Sequence, residues 1–237
     1  MKARKWIIIL GLIVIVMSTL SAQADINKRV DPTSEFFKLQ LATAQIGAGG
    51  RGGAGVIIKD DREFLYIATA RHIANLKGKM KIVIRRKDLK QKIIAKIPRK
   101  NIYKDKILDV AIIKVSRPEG EFEVVTLAIK SPSIGKTVYT VGHPSSFTNT
   151  INKGIVSNYL KNPVPKRKGI YMLISAPSFT GNSGGAVINV NKELVGIASG
   201  IMWLGDNPKD LKHTLFLYHL TFVVRIEDIK NLLETVK

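Results

Sequence analysis

Between Gly55 and Ala198 the apolar residues come in short runs dominated by Val and Ile, with Gly, Pro, Asn, Asp or Lys clusters between them. Ten such runs, at 55–58, 64–69, 81–84, 93–97, 110–115, 137–141, 154–157, 170–174, 185–188 and 194–198, succeed one another over about 145 residues. Branched side chains suit a pleated, half-buried surface, and runs this short bounded by turn residues read as strands. An all-β sandwich or barrel is therefore expected. No helical period interrupts the series until the C-terminus, where Ile226, Ile229, Leu232, Leu233 and Val236 recur with charged residues between them. That spacing predicts an amphipathic helix docking one face on the body. Arg117-Pro118-Glu119-Gly120, followed by Glu121 and Glu123, is the turn-rich acidic break near the middle and marks the junction of two β-units.

The N-terminus points to export. Lys2, Arg4 and Lys5 precede an uncharged apolar stretch of 12 residues, 6–17, and a small-polar segment ending in Ala22-Gln23-Ala24. This is the three-part pattern of a secretory signal cleaved after Ala24, and the apolar stretch falls short of the roughly 17 to 25 residues of a spanning helix. Cleavage and a periplasmic or secreted location are expected, with retention as an N-terminal membrane anchor the minor alternative. The chain has no cysteine, which excludes disulfide scaffolds, thiolate metal sites and a cysteine nucleophile. Its 38 Lys+Arg against 18 Asp+Glu give a net charge of +20. An exported protein meets little nucleic acid, so none is expected as a partner. The charge suits anionic envelope polymers or lipid headgroups, or simply a solvated face. The surplus is densest in 77–106, with 13 Lys+Arg against Asp88 and Asp105. Tyr103 is the sole aromatic there, so the stacking platforms of single-strand binders are missing.

Three segments carry chemistry. Gly181-Asn182-Ser183-Gly184-Gly185 precedes the strand-like Ala186-Val187-Ile188. A serine hydroxyl needs a base to become nucleophilic, and glycines beside it let backbone NH groups, here of Gly181 and Ser183, converge on an oxyanion. Without partners the same pentapeptide is a Gly-rich turn. His72 follows the apolar strand Ile67-Ala68-Thr69 three residues later, where an imidazole can meet another loop; a lone histidine is more often structural. His143 reads as a turn residue, and His213 and His219 lack a strand-end setting. Asp109 stands at the entrance of the apolar Val110–Val115 run, where an unpaired carboxylate would be costly and an imidazole NH would relieve it. Its competitor, Asp105, is flanked by Lys104 and Lys106.

The order His, Asp, Ser along the chain is that of the chymotrypsin clan and differs from subtilisins and α/β-hydrolases. Together with Val141-Gly142-His143-Pro144, Lys153-Gly154-Ile155-Val156-Ser157, Glu193-Leu194-Val195-Gly196-Ile197 and the lead-in Gly52-Gly53-Ala54-Gly55-Val56-Ile57-Ile58, these segments resemble the trypsin-like serine proteases of the HtrA/Deg type. The resemblance implies two six-stranded antiparallel β-barrels and a C-terminal helix. It divides the chain into a signal, 1–24, an N-terminal arm, 25–35, and a protease domain, 36–237, with a first barrel at about 36–117, a second at about 122–225 and the helix at 226–236. It implies a cofactor-free serine endopeptidase acting on unfolded or flexible polypeptides. Ser183 is then nucleophile, His72 general base, Asp109 its orienting partner, and the NH groups of Gly181 and Ser183 the oxyanion donors. A catalytically silent chaperone-like module and an anion-binding module on the same fold are the rival readings.

Three features depart from the resemblance. HtrA-type enzymes usually continue into PDZ domains; none is expected after the helix, and an oligomer is possible but not indicated by the sequence. The segment before the nucleophile loop, Ser175-Ala176-Pro177-Ser178-Phe179-Thr180, lacks the acidic and Asn-Pro elements typical of the family. A basic insertion spans 161–168. By the same resemblance the residues entering the nucleophile loop and the strand after it wall the primary pocket. Phe179, Thr180, Ile197 and Ala198 then form a small apolar lining with no charge to receive Lys, Arg or Glu, so cleavage after Val, Ala or Leu is expected.

Overall fold

The computed structural model describes residues 31, 33–144, 149–163, 168–204 and 215–237. The signal-like segment 1–24, most of the arm 25–35, His213 and the middle of the basic insertion lie outside the described residues. Up to Lys38 the chain forms a unit of its own. In it Asp31 Oδ1 accepts hydrogen bonds from the Thr33 NH and hydroxyl, at 2.9 and 2.6 Å, shortly before helix α1, Glu35–Leu41. The sequence pattern had not marked that helix. Residues 39–237 form the second unit and hold all thirteen strands seen among the described residues.

The first seven strands are β1 (Thr43–Ala48), β2 (Arg51–Asp60), β3 (Phe64–Thr69), β4 (Lys81–Arg85), β5 (Gln91–Ile94), β6 (Ile102–Lys104) and β7 (Ala111–Ser116), with a single helical turn, α2 (Arg71–Ala74), after β3. They make one antiparallel sheet in the order β5-β4-β1-β2-β3-β7-β6. Strands β1 and β2 are joined by a two-residue turn, since Ala48 lies opposite Arg51, and Gly49 and Gly50 take φ of 57° and 75°. A turn with both central residues at positive φ matches the twist of the flanking strands. Ile46, Ile57, Leu65, Ile67, Ile82, Ile84 and Ile113 fill the concave face, joined by Phe122.

The remaining strands are β8 (Thr137–Gly142), β9 (Thr150–Lys161), β10 (Ile170–Ser175), β11 (Ala186–Ile188), β12 (Leu194–Leu204) and β13 (Leu215–Arg225). They close into a six-stranded barrel, β10-β13-β12-β11-β8-β9, around Val138, Val156, Met172, Ile174, Val187, Val195 and Val223. The all-β architecture of two barrel-type sheets is thus as the sequence indicated, with one difference in detail. The first sheet has seven strands and stays open, ending on β5 and β6. These are consecutive in sequence, but the connection between them contains Pro98, which has no NH to offer a ladder.

The passage between the sheets is stitched to both. Arg117 Nε contacts both carboxylate oxygens of Asp60, at 2.9 and 2.8 Å. Val125 NH donates to the Ile57 carbonyl in the first sheet, at 3.0 Å, and two residues on Leu127 makes a parallel bridge to Leu194 in the second. Helix α3, Ile226–Glu234, buries Ile226, Ile229 and Leu232 as their spacing requires. It ends two residues earlier than the apolar period, where Thr235 Oγ1 donates to the Leu232 carbonyl, at 2.7 Å.

Two features yield measurable consequences. A Cβ on Gly49 would lie 2.8 Å from the Lys77 carbonyl oxygen, whereas one on Gly50 meets nothing within 4 Å. Asparagine tolerates positive φ, so Gly50→Asn should leave stability within about 0.5 kcal/mol, and Gly49→Asn should cost about 1.5 kcal/mol or more in urea unfolding. His143 is 7% exposed, and burial, with the charge of Arg85 adding to it, pushes its imidazole down to about 4. The unfolded chain therefore binds a proton that the fold refuses between about pH 6.5 and 4. From pH 7 to 5 the protein should lose about 2 kcal/mol of stability that His143→Gln does not lose.

Candidate active site

Antiparallel pairing of β3 with β7 sets Thr69 opposite Ala111, so the residues just after β3 and just before β7 emerge at the same end of the sheet. His72, on α2, and Asp109 are brought together there. Asp109 Oδ1 accepts the His72 backbone NH at 2.9 Å, and Oδ2 lies 2.8 Å from His72 Nδ1. The Asp109 side chain is 14% exposed, a setting in which a carboxylate requires compensation. Burial pushes its carboxyl upward, but the hydrogen bond and charge of His72, together with the Ser199 hydroxyl and the His72 NH, hold it below the ordinary carboxylate range. Asp105, the competing carboxylate, does other work. Its Oδ1 accepts the NH groups of Ile107 and Leu108, at 2.7 and 2.6 Å, and its carbonyl receives Arg71 Nη1, at 2.8 Å. It shapes the turn that presents Asp109.

The closed barrel meets this pair through two residues the sequence reading did not single out. Ser199 Oγ donates to Asp109 Oδ2 at 2.6 Å, and the Asp109 NH donates to the Tyr171 hydroxyl at 3.2 Å. Ser199 occupies the register shift in β12, where Ala198 pairs with Val223 but Gly200 pairs with Phe222. A bulge of this kind re-aims one side chain out of the alternating pattern.

The loop that carries Ser183 is held by its backbone. Asn182 NH donates to the Phe179 carbonyl, Gly185 NH to the Asn182 carbonyl and Gly184 NH to the Ala198 carbonyl, at 3.0, 2.9 and 2.7 Å. The Ser183 carbonyl in turn accepts Ala54 NH of β2 at 2.8 Å. Gly184 has φ of 86°, and a Cβ there would lie 2.0 Å from the Ala54 carbonyl oxygen, so only glycine lets the loop sit this close to the first sheet. The NH groups of Gly181 and Ser183 have no acceptor among the described residues. Of the other histidines, His143 is buried with Nδ1 accepting Asn149 NH at 3.1 Å, and His219 is exposed on β13; neither joins His72.

His72 and Ser183 line a common cavity of about 600 Å3. Phe179 and Thr180 line it as expected, and Phe179 stacks on Tyr218 with ring centroids 5.4 Å apart. Ile197 and Ala198 do not. They are 0% and 2% exposed, with Ala198 in the barrel core, and the register shift at Ser199 comes only after them. Gly200 and Ile201 form that wall instead, two to three residues further along. Arg51, at the start of β2, also reaches this cavity, a cation that the two wall segments alone did not reveal.

Comparison with known proteins bears on the fold and the family. A family model described as trypsin-like peptidase domain matches residues 53–197. A Haemophilus influenzae protein named probable periplasmic serine protease do/HhoA-like is 29% identical over 166 residues, covering 65% of this chain and 34% of its own length. A Staphylococcus aureus protein named serine protease HtrA-like is 28% identical over 158 residues, covering 62% of this chain. This chain spans about a third of the first relative's length and 20% of the second's. Among solved structures, the HtrA-type protease AlgW with a tripeptide superposes at a TM-score of 0.67 and 17% identity, covering 87% of this chain and 64% of that one. The inactive form of Rv3671c from M. tuberculosis gives 0.62 and 16%, covering 85% and 89%. At these identities the structural matches speak for the fold, and the family model speaks for descent: the chain belongs to the trypsin-like peptidase domain family, with HtrA-like serine proteases among its relatives.

Proposed function

We propose that this protein is an exported serine endopeptidase that cuts unfolded or flexible polypeptides through an acyl-enzyme on Ser183. The observation that carries this reading is the Asp109 carboxylate gripping His72 at both its backbone NH and Nδ1, beside a serine whose loop leaves two NH groups unspent. With Nδ1–H held by Asp109, the lone pair of neutral His72 lies on Nε2, the nitrogen that faces a proton donor in this mechanism. Ser183 Oγ attacks the peptide carbonyl carbon as His72 Nε2 takes its proton, and Asp109 stabilises the imidazolium. The carbonyl oxygen becomes an oxyanion received by the Gly181 and Ser183 NH groups. The C–N bond then breaks with His72 protonating the leaving amine. Water, deprotonated by His72, attacks the acyl carbon and releases the carboxylate product and free Ser183.

On the acyl side, Phe179 and Ile201 give the cavity apolar walls, and among the described residues no carboxylate lines it. Medium-sized apolar side chains fit this lining best, and Lys or Arg would be left unpaired. Export rests on the signal-like residues 1–24 and on the periplasmic naming of the H. influenzae relative.

An active-site phosphonofluoridate should label the protein at Ser183, and Ser183→Ala should abolish labelling; an unlabelled wild type would favour the silent module. Ser183→Ala, His72→Ala and the double variant should each lose kcat/KM by a similar factor, on the order of 10⁴ or more, because the groups act in one step. Asp109→Asn should be severe through the wrong tautomer. Asp105→Asn should stay near wild type, since an amide oxygen still accepts the NH groups of Ile107 and Leu108. Mass spectrometry of protein recovered from outside the cytoplasm should find an N-terminus at Asp25; an intact Met1 with detergent-dependent extraction would support an anchor.

A further inference from the structure

A second cavity, of about 780 Å3, adjoins the first at Arg51, Thr180 and Gly181. Its floor follows from strand register. Gly47 lies between Lys81 of β4 and Gly52 of β2, so this cross-strand row carries one side chain, that of Lys81, beside two positions that have none. The result is a lane of largely bare backbone with a cation at its edge. Lys79, just before β4, and Arg51, just after the Gly49-Gly50 turn, stand along the same cavity.

Among the described residues no Asp or Glu lines this lane, and Arg51, Lys79 and Lys81 have no carboxylate partner. Three exposed cations without counterions raise the local potential and attract acidic side chains. Position then decides which part of a substrate they meet. If Ser183 is the nucleophile and the acyl half of the substrate lies against Phe179 and Ile201, the chain beyond the cut bond must leave past Gly181 on the other side, into the lane.

We propose that this lane selects acidic polypeptides: the protein prefers substrates carrying Asp or Glu within the first two or three residues after the cut bond, with Lys81 and Lys79 as specificity-determining residues and Arg51 at the junction. The proposal rests on the endopeptidase reading above.

The test uses quenched fluorescent peptides identical up to the cut bond and differing after it, with an acidic, a neutral or a basic triplet. Cleavage of the neutral peptide, lost in Ser183→Ala, secures the endopeptidase reading on its own. The acidic-to-neutral ratio of kcat/KM then tests the lane. At about 0.01 M salt that ratio should be on the order of 10 and the basic peptide should be slowest; at about 1 M salt the three should converge as screening shortens. In the Lys79→Glu/Lys81→Glu variant the ratio should invert, and in Lys79→Gln/Lys81→Gln it should fall towards 1. The ratio is taken within each variant, so any general loss of activity cancels. Equal cleavage of acidic and neutral peptides at low salt, or a preference that survives both variants, overturns the proposal while leaving the endopeptidase reading intact. Failure to cleave any peptide overturns both.

Discussion

The carboxylate of Asp109 is where the two sheets of this protein become one site. It receives the backbone NH and Nδ1 of His72 from the open sheet and the hydroxyl of Ser199 from the closed barrel, and the NH of the same residue reaches Tyr171 on β10. A carboxylate so nearly buried would be expensive with any of these missing, and truncating one partner of a buried charge leaves the other uncompensated. Its charge therefore depends on the sheets being correctly docked. The same hydrogen bonds that keep it ionised also fix the ring of His72, so electrostatics and alignment are settled by one set of contacts.

The loop of Ser183 crosses the same boundary in the opposite sense. It belongs in sequence to the closed barrel, yet its Ser183 carbonyl is bound by Ala54 NH of the open sheet, and Gly184 packs against the Ala54 carbonyl that also accepts Thr69 Oγ1. Each sheet thus supports a residue the other needs: Ser199 and Tyr171 position the carboxylate of the first, and Ala54 positions the serine of the second. The strand ends that deliver these groups are held by ladder hydrogen bonds, which suits a site in which small displacements are costly.

How much of this was legible in the sequence depended on whether a residue's place follows from local pattern or from register. The pairing of His72 with Asp109 was legible because a carboxylate entering an apolar run demands a donor and an imidazole at a neighbouring strand end supplies one; Ser183 stood out by the glycines around it, and Asp109 was separable from Asp105 because only the former enters an apolar run. Strand content and the terminal helix followed from periodicity. The pocket wall did not. The resemblance pointed to Ile197 and Ala198, both of which are buried, while Gly200 and Ile201, beyond the bulge at Ser199, line the cavity. A bulge is a two-against-one pairing and has no signature in the strand that carries it alone. Ser199 and Arg51 escaped notice for the same reason: their roles come from what lies across a sheet or across the cleft. Helix α1 is too short, at seven residues, for its period to stand out.

The open sheet exposes what the closed barrel hides, namely two strands with one side unpaired. Such edges can template the addition of a foreign strand, and natural proteins blunt them by keeping them short and by placing lysines on them. β5 has four residues with Lys90 and Lys92 at it, and β6 has three and ends in Lys104. The dense positive charge of 77–106, which looked from composition like an invitation to a polyanion, thereby acts on the molecule's own kind. Identical edges that carry lysines repel one another, so the charge guards the unpaired sides against a second copy of the same sheet.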